Sequence, residues 1–148
     1  AKVMIVGEAP GSEEAIAGRP FVGRAGRFLD KLLASFGISR DNVYITSPVK
    51  YYPGKRRLRK DEVLHGRAHL LKQIETVNPK LVVVMGKTAY LALFQKKLKL
   101  KDFHGRVYRV NGRIFFLTFH PAAAMRFPKM RRMMEFDFRK VKRIINEL

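Results

Sequence analysis

Apolar and polar positions change period along this chain, and each change marks an element. Val3–Val6 is a short, continuous apolar run, the pattern of a strand buried on both faces of a parallel sheet. Val43–Thr46 reads as a second such strand, and Leu81–Met85, with no polar residue, as a third. Between them the period lengthens. Phe28, Leu29, Leu32, Leu33 and Phe36 fall on one helical face, and Gly37 supplies a C-terminal stop. Asp61 can cap a single helix whose apolar face is Val63, Leu70, Leu71, Ile74 and Val77, closed by Asn78 and Pro79. Gly86 leads into a short helix bearing Leu91, Leu93 and Phe94. Arg106–Val110 and Arg113–Thr118 flank Asn111 and Gly112, the strongest short hairpin signal a sequence offers. Met130, Met134, Phe138, Val141, Ile145 and Leu148 predict the buried stripe of a C-terminal helix.

Strands alternating with helices predict an α/β domain with a mostly parallel sheet covered on both faces. Right-handed crossovers then gather the C-terminal strand ends at one edge, where such folds bind ligands. Four segments fall there: Gly7–Gly26, Ser47–Lys60, Gly86 to Thr88, and Phe119–Pro128. No internal repeat or second domain is visible, so residues 1–148 read as one domain.

The first of these loops, GEAPGSEEAIAGRPFVGRAG, is over-specified for a connector. Gly7 and Gly11 allow close backbone approach, and Pro10 stiffens the turn. The spacing is neither GxGxxG nor GxxxxGK[ST], which removes the dinucleotide and P-loop readings. Glu8 puts a carboxylate at the ligand edge, where it can cap the loop or act in chemistry. Phe21, between Pro20 and Gly23, can anchor the loop or offer a face for stacking a base. His120, fixed before Pro121 at the end of a strand, is a second candidate. Ala122 to Pro128 reads as a loop of small residues followed by Met125, Arg126 and Phe127, suited to pressing apolar wedges into a duplex.

Charge changes the picture most. Lys plus Arg number 31 against 12 Asp plus Glu, a formal +19. A polyanionic partner explains this better than a merely solvated surface, because each neutralised phosphate releases counterions. Lys50, Lys55, Arg56, Arg57, Arg59 and Lys60 crowd one loop with Tyr51 and Tyr52 among them, which reads either as a solvated charge run or as a phosphate track. No apolar run approaches the roughly 18 residues that span a membrane, so a cytoplasmic, soluble monomer is expected. The sequence has no cysteine, which excludes disulfides, thiolate metal sites and a Cys nucleophile.

GEAPGSEEAIAGRPFVGRAG, VYITSPVK, PKLVVVMGKTA and TFHPAAAMRFPK together resemble, in order and spacing, the uracil-DNA glycosylase superfamily, and within it family 4. The resemblance covers nearly the whole chain. It implies a three-layer α/β/α sandwich with a central, mostly parallel four-stranded sheet. It also implies excision of uracil, or another deaminated base, from DNA by hydrolysis of the N-glycosidic bond of a flipped nucleotide. Glu8 would help position the attacking water, Phe21 would stack on the base, and His120 would stabilise charge on the uracil O2. Gly7, Phe21 and Ser47 would bind the base, and Arg56, Arg57, Met125 and Arg126 would contact DNA.

Departures accompany the resemblance. Family 4 holds an iron–sulfur cluster with four cysteines; here Tyr51 and Gly66 stand at the second pair, and the first pair would lie ahead of Ala1. No metal or other cofactor is therefore expected, with Tyr51 filling the space by packing. Ser47 occupies the place of a base-reading Asn, and Glu14–Ala15 that of a Glu–Asp pair. GKRRLRK is similar to the loop of a DNA-crosslinking subgroup, but Arg59 stands where that loop has its bonding His, and no covalent trapping is expected. The alternative reading is a glycosylase-fold protein that binds DNA with weak or no excision.

Overall fold

The computed structural model describes residues 2–9, 11–19, 21–54, 56–96 and 104–148. Pro10, Pro20 and Lys55 lie outside the described residues. The elements run β1 (Val3–Val6), α1 (Ser12–Ala17), α2 (Arg24–Ser35), a 3-10 turn (Arg40–Asn42), β2 (Val43–Thr46), α3 (Lys60–His65), α4 (Arg67–Val77), β3 (Leu81–Met85), α5 (Lys87–Phe94), β4 (Val107–Val110), β5 (Arg113–Thr118), α6 (Pro121–Arg126) and α7 (Pro128–Asn146).

The sheet has the order β2-β1-β3-β5-β4. β2, β1, β3 and β5 pair in parallel, and β4 joins β5 antiparallel at the edge. The expected four-stranded sheet is thus corrected to five strands, the fifth being the first arm of the hairpin. Asn111 and Gly112 both adopt positive φ, 50° and 80°, as the tight turn with right-handed twist requires.

Alternate residues of the same strands feed two cores. Val3, Ile5, Leu81, Val83, Met85 and Phe116 face α2 and α7, where Leu29, Leu33, Met134, Phe138 and Val141 are buried. Met4, Val6, Val82, Val84 and Leu117 face the other side, against Val63, Leu70, Ile74 and Leu93. Both faces are covered, which is why the central strands carry no polar alternation.

Two helical expectations change. The helix expected to start from Asp61 is two helices, α3 and α4, that meet at Gly66, and Leu71 is exposed. A Cβ at Gly66 would lie 1.9 Å from the Pro48 carbonyl oxygen, so the chain turns where only glycine lets Pro48 approach. The segment after His120 is a helix rather than a loop: Pro121 is its first residue and the His120 side chain caps it.

Candidate active site

β1 and β3 lie at the point where the sheet order reverses, and the loops leaving β1, β2 and β5 converge beyond it. They enclose a cavity of about 210 Å³ lined by Phe21, Gly26, Ser47 and His120, among others. That volume admits a single planar ring system. The structure therefore brings Phe21, Ser47 and His120 together. Gly7 backs the cavity: a Cβ there would meet the Phe21 ring at 2.5 Å and lie 3.7 Å from His120 Nε2. Glu8 sits exposed at the rim, its carboxylate accepting a hydrogen bond from Thr88 Oγ1 at 3.0 Å.

Phe21 holds a left-handed backbone, φ 53°, which a non-glycine residue adopts only under constraint. The constraints are visible on both sides of it. Arg40 Nη1 donates to the Phe21 carbonyl oxygen at 2.6 Å and to Asp30 Oδ1 at 2.9 Å. Glu14 accepts backbone N–H groups of Gly11 (3.0 Å), Val22 (2.7 Å) and Gly23. Gly26 makes room, since a Cβ there would lie 1.9 Å from the Phe21 oxygen. Burial works against the Glu14 charge, but the N–H groups of Gly23, Val22 and Gly11 hold its pKa below the usual value.

His120 lies two residues beyond the end of β5 and caps α6. Its Nδ1 accepts the Ala122 N–H at 3.1 Å, so a neutral ring carries its proton on Nε2. Burial pushes the pKa of His120 down, with Glu8 acting in the opposite sense. The ring lies 5.8 Å from that of Phe21, centroid to centroid. The result is a neutral N–H donor beside an aromatic wall.

Ser47 lines the cavity, but its hydroxyl proton goes to the Val49 carbonyl oxygen at 2.7 Å. Its remaining lone pairs can only accept. Arg56 does not point freely at solvent: it forms a two-pronged pair with Glu62, Nη2 to Oε2 at 2.8 Å. Arg57 is exposed, as are Met125 and Arg126 at the end of α6.

An iron–sulfur cluster of the kind the resemblance implies does not fit these residues. The sequence has no thiol, and a side chain at 66 would collide with Pro48. Among the described residues no group of three or more His, Asp or Glu could hold a metal ion. The loop is instead tied by Glu62, which accepts from Tyr51 Oη, both Arg56 nitrogens and the Arg59 N–H. Those bonds, Arg56 first, hold the Glu62 carboxyl far below the usual carboxylate range. Tyr51 is consequently not the buried filler expected from the sequence; it is 49% exposed and anchored by its hydroxyl.

Sequence reasoning passed over Arg40 and Asp30, placed Gly26 and Thr88 in ligand-edge segments without giving them a role, and saw Glu14 only as a departure. Glu14 had one local signal, its spacing three residues after Gly11 at a helix start. Arg40, Asp30 and Thr88 act across 10 to 80 positions and leave no local pattern.

A small pocket with an aromatic wall at the switch point of the sheet, on a strongly basic chain, places the protein among the α/β proteins whose ligand site lies at the strand ends. The family model described as Uracil DNA glycosylase superfamily matches residues 1–148, and the chain belongs to that superfamily. It is similar to the type-4 uracil-DNA glycosylase of Saccharolobus solfataricus, 38% identical over 156 residues that cover 99% of this chain and 72% of the relative. The corresponding figures for the type-4 enzyme of Thermotoga maritima are 39% over 152 residues, 99% and 79%. A type-5 uracil-DNA glycosylase of Pyrobaculum aerophilum is 33% identical over 139 residues, covering 82% and 62%.

Proposed function

We propose that this protein is a monofunctional DNA glycosylase of the type-4 kind that excises uracil from DNA in base excision repair. The observation that carries the reading is the neutral His120 Nε2–H, fixed by its Nδ1 bond to Ala122, beside the Phe21 wall of a one-ring cavity. A base must leave its stack to enter such a cavity. As the C1′–N1 bond breaks, its electron pair passes to N1 and is shared with O2. A donor waiting at that oxygen stabilises the charge as it forms, usually the largest catalytic contribution. Water, positioned by Glu8 at the rim, adds its oxygen to C1′; one of its protons stays on the new C1′ hydroxyl and the other passes through solvent to the uracil anion. The products are free uracil and an abasic site.

Ser47 takes the base edge as an acceptor. Uracil presents N3–H there, whereas cytosine presents a lone pair and is refused. Arg57, Met125 and Arg126 contact the DNA around the flipped nucleotide. Arg56 contributes chiefly by holding Glu62. In this reading residues 1–148 act as one domain, monomeric and cytoplasmic.

The test uses oligonucleotides carrying U opposite G, U in single strand, and hypoxanthine opposite T, followed by alkaline cleavage of abasic sites. Strand breaks at U are expected. No breaks from any substrate would reject the reading.

A further inference from the structure

A second cavity, of about 540 Å³, opens beside the base pocket and shares Glu14 and Ser47 with it. Three tyrosines line it: Tyr44, Tyr51 and Tyr52, which are 37%, 49% and 40% exposed. Arg19 and Lys50 bring two cations to the same space. Exposed aromatics are ordinarily a cost to solubility, and three around one cavity need a reason.

The cavity is held in shape. Gln73 Nε2 donates to Tyr44 Oη at 3.1 Å, and Tyr51 Oη donates to Glu62. Lys50 Nζ donates to Thr46 Oγ1 at 2.6 Å, to Gln73 Oε1 at 2.7 Å, and to the Ser47 carbonyl oxygen. Burial pushes Lys50 down to about 8, so an anion lying alongside would favour its charged form.

We infer that this cavity is a subsite for the nucleotide next to the flipped one in single-stranded DNA, its base stacking on the tyrosines and its phosphate facing Arg19 and Lys50. Rings on a basic track are how single strands are gripped without regard to sequence. The volume is within the range of small-ligand pockets and accommodates one nucleotide. In a duplex the neighbouring base stays paired and stacked, so only a single strand delivers it. The inference rests on the glycosylase reading for what fills the first pocket. It adds a strand preference that the reading does not contain.

The chain has no Trp and five Tyr, three of them on this cavity, so tyrosine emission is sensitive to its occupation, and the Tyr52→Leu and Tyr44→Leu variants assign the change to it. A uracil-free, single-stranded oligothymidylate is titrated against wild type, Tyr52→Leu and Tyr44→Leu, with a duplex of the same length as control and melting curves to verify folding. Uracil release is then followed on single-stranded and duplex substrates. Quenched emission is expected with the single strand. Each variant that melts as wild type should bind the single strand about tenfold more weakly and show a raised KM for single-stranded uracil, with the duplex KM unchanged. Variants that bind the single strand as wild type, or lose single strand and duplex equally, overturn the subsite. Uracil release by wild type from the duplex reads the glycosylase function alone. A protein that releases no uracil yet shows tyrosine-dependent binding would keep the subsite and lose that function.

Discussion

Arg40 Nη1 donates to the carbonyl oxygen of Phe21 at 2.6 Å and so holds a phenylalanine at φ 53°, a backbone that non-glycine residues avoid. The aromatic wall of the pocket owes its position to a side chain 19 residues away. Asp30 orients that side chain in turn. The left-handed conformation costs about 1–3 kcal/mol for such a residue, which the surrounding bonds must offset.

Arg40→Met should therefore release Phe21 and lower kcat/KM for uracil excision by about tenfold or more, while affinity for undamaged duplex stays as it was. Arg40→Lys, which keeps one donor, should recover part of the loss. Gly26→Ala pushes a methyl into the same carbonyl and should abolish excision. Kinetics on a single-uracil oligonucleotide, together with duplex binding, check all three.

Glu14 satisfies three backbone N–H groups of the loop, and Glu14→Ala would leave them without that acceptor. Each unsatisfied group that remains buried costs about 1–3 kcal/mol, so a clear fall in melting temperature is expected. The pH dependence follows from a pKa lowered in the folded state. Glu14 contributes stability above the ordinary carboxylate pKa, and that contribution is lost as pH falls through the folded value. Wild type should lose more stability than Glu14→Ala between neutral pH and pH 3, measured by thermal melting.

In the proposed reaction His120 works as a neutral donor, and its pKa is lowered from the ordinary 6.5. Excision should hold its rate as pH falls through 6.5, and decline only further into acid. Because the unfolded chain binds the proton more readily, stability is highest above pH 6.5 and falls as pH drops from there toward the lowered folded value. Glu8 favours the charged ring, so Glu8→Gln should move the acidic limb of the pH–rate profile to still lower pH, besides slowing excision. His120→Ala should cut excision by about a hundredfold or more with DNA binding kept.

Arg56 and Arg57 are neighbours with different duties. Arg57→Ala should lower the log–log salt slope of DNA binding by about one unit. Arg56→Ala should leave that slope nearly unchanged and lower the melting temperature, because Glu62 loses its bidentate partner. Filter binding across a salt series and melting curves separate the two effects.

Ser47 spends its hydroxyl proton on Val49 and can offer a ligand in the pocket only an acceptor. Ser47→Asn adds a donor for uracil O4 beside an acceptor for N3–H. Uracil excision should rise by about tenfold with DNA affinity unchanged. A fall in rate would mean that the pocket is shaped for another base.

Much of the fold is legible in the sequence. Val3–Val6, Val43–Thr46, Leu81–Met85 and Arg113–Thr118 are strands with the limits the apolar runs predict, and the Asn111–Gly112 turn is where its residue types require. These features are local: successive residues share one environment, so burial is written into neighbouring positions. His120 was legible as a residue at the ligand edge after a strand and Phe21 as an aromatic in the over-specified first loop, whereas Ser47 stood out only through the family resemblance. Tertiary structure alone decided the rest. Gly66 breaks a helix because Pro48 passes beside it, and Tyr51 is exposed because Glu62 holds its hydroxyl. Arg40 and Glu14 build the pocket through bonds between segments far apart in the chain. Such contacts depend on where the folded backbone brings a carbonyl or an N–H, and a one-dimensional pattern of side chains carries no record of that distance.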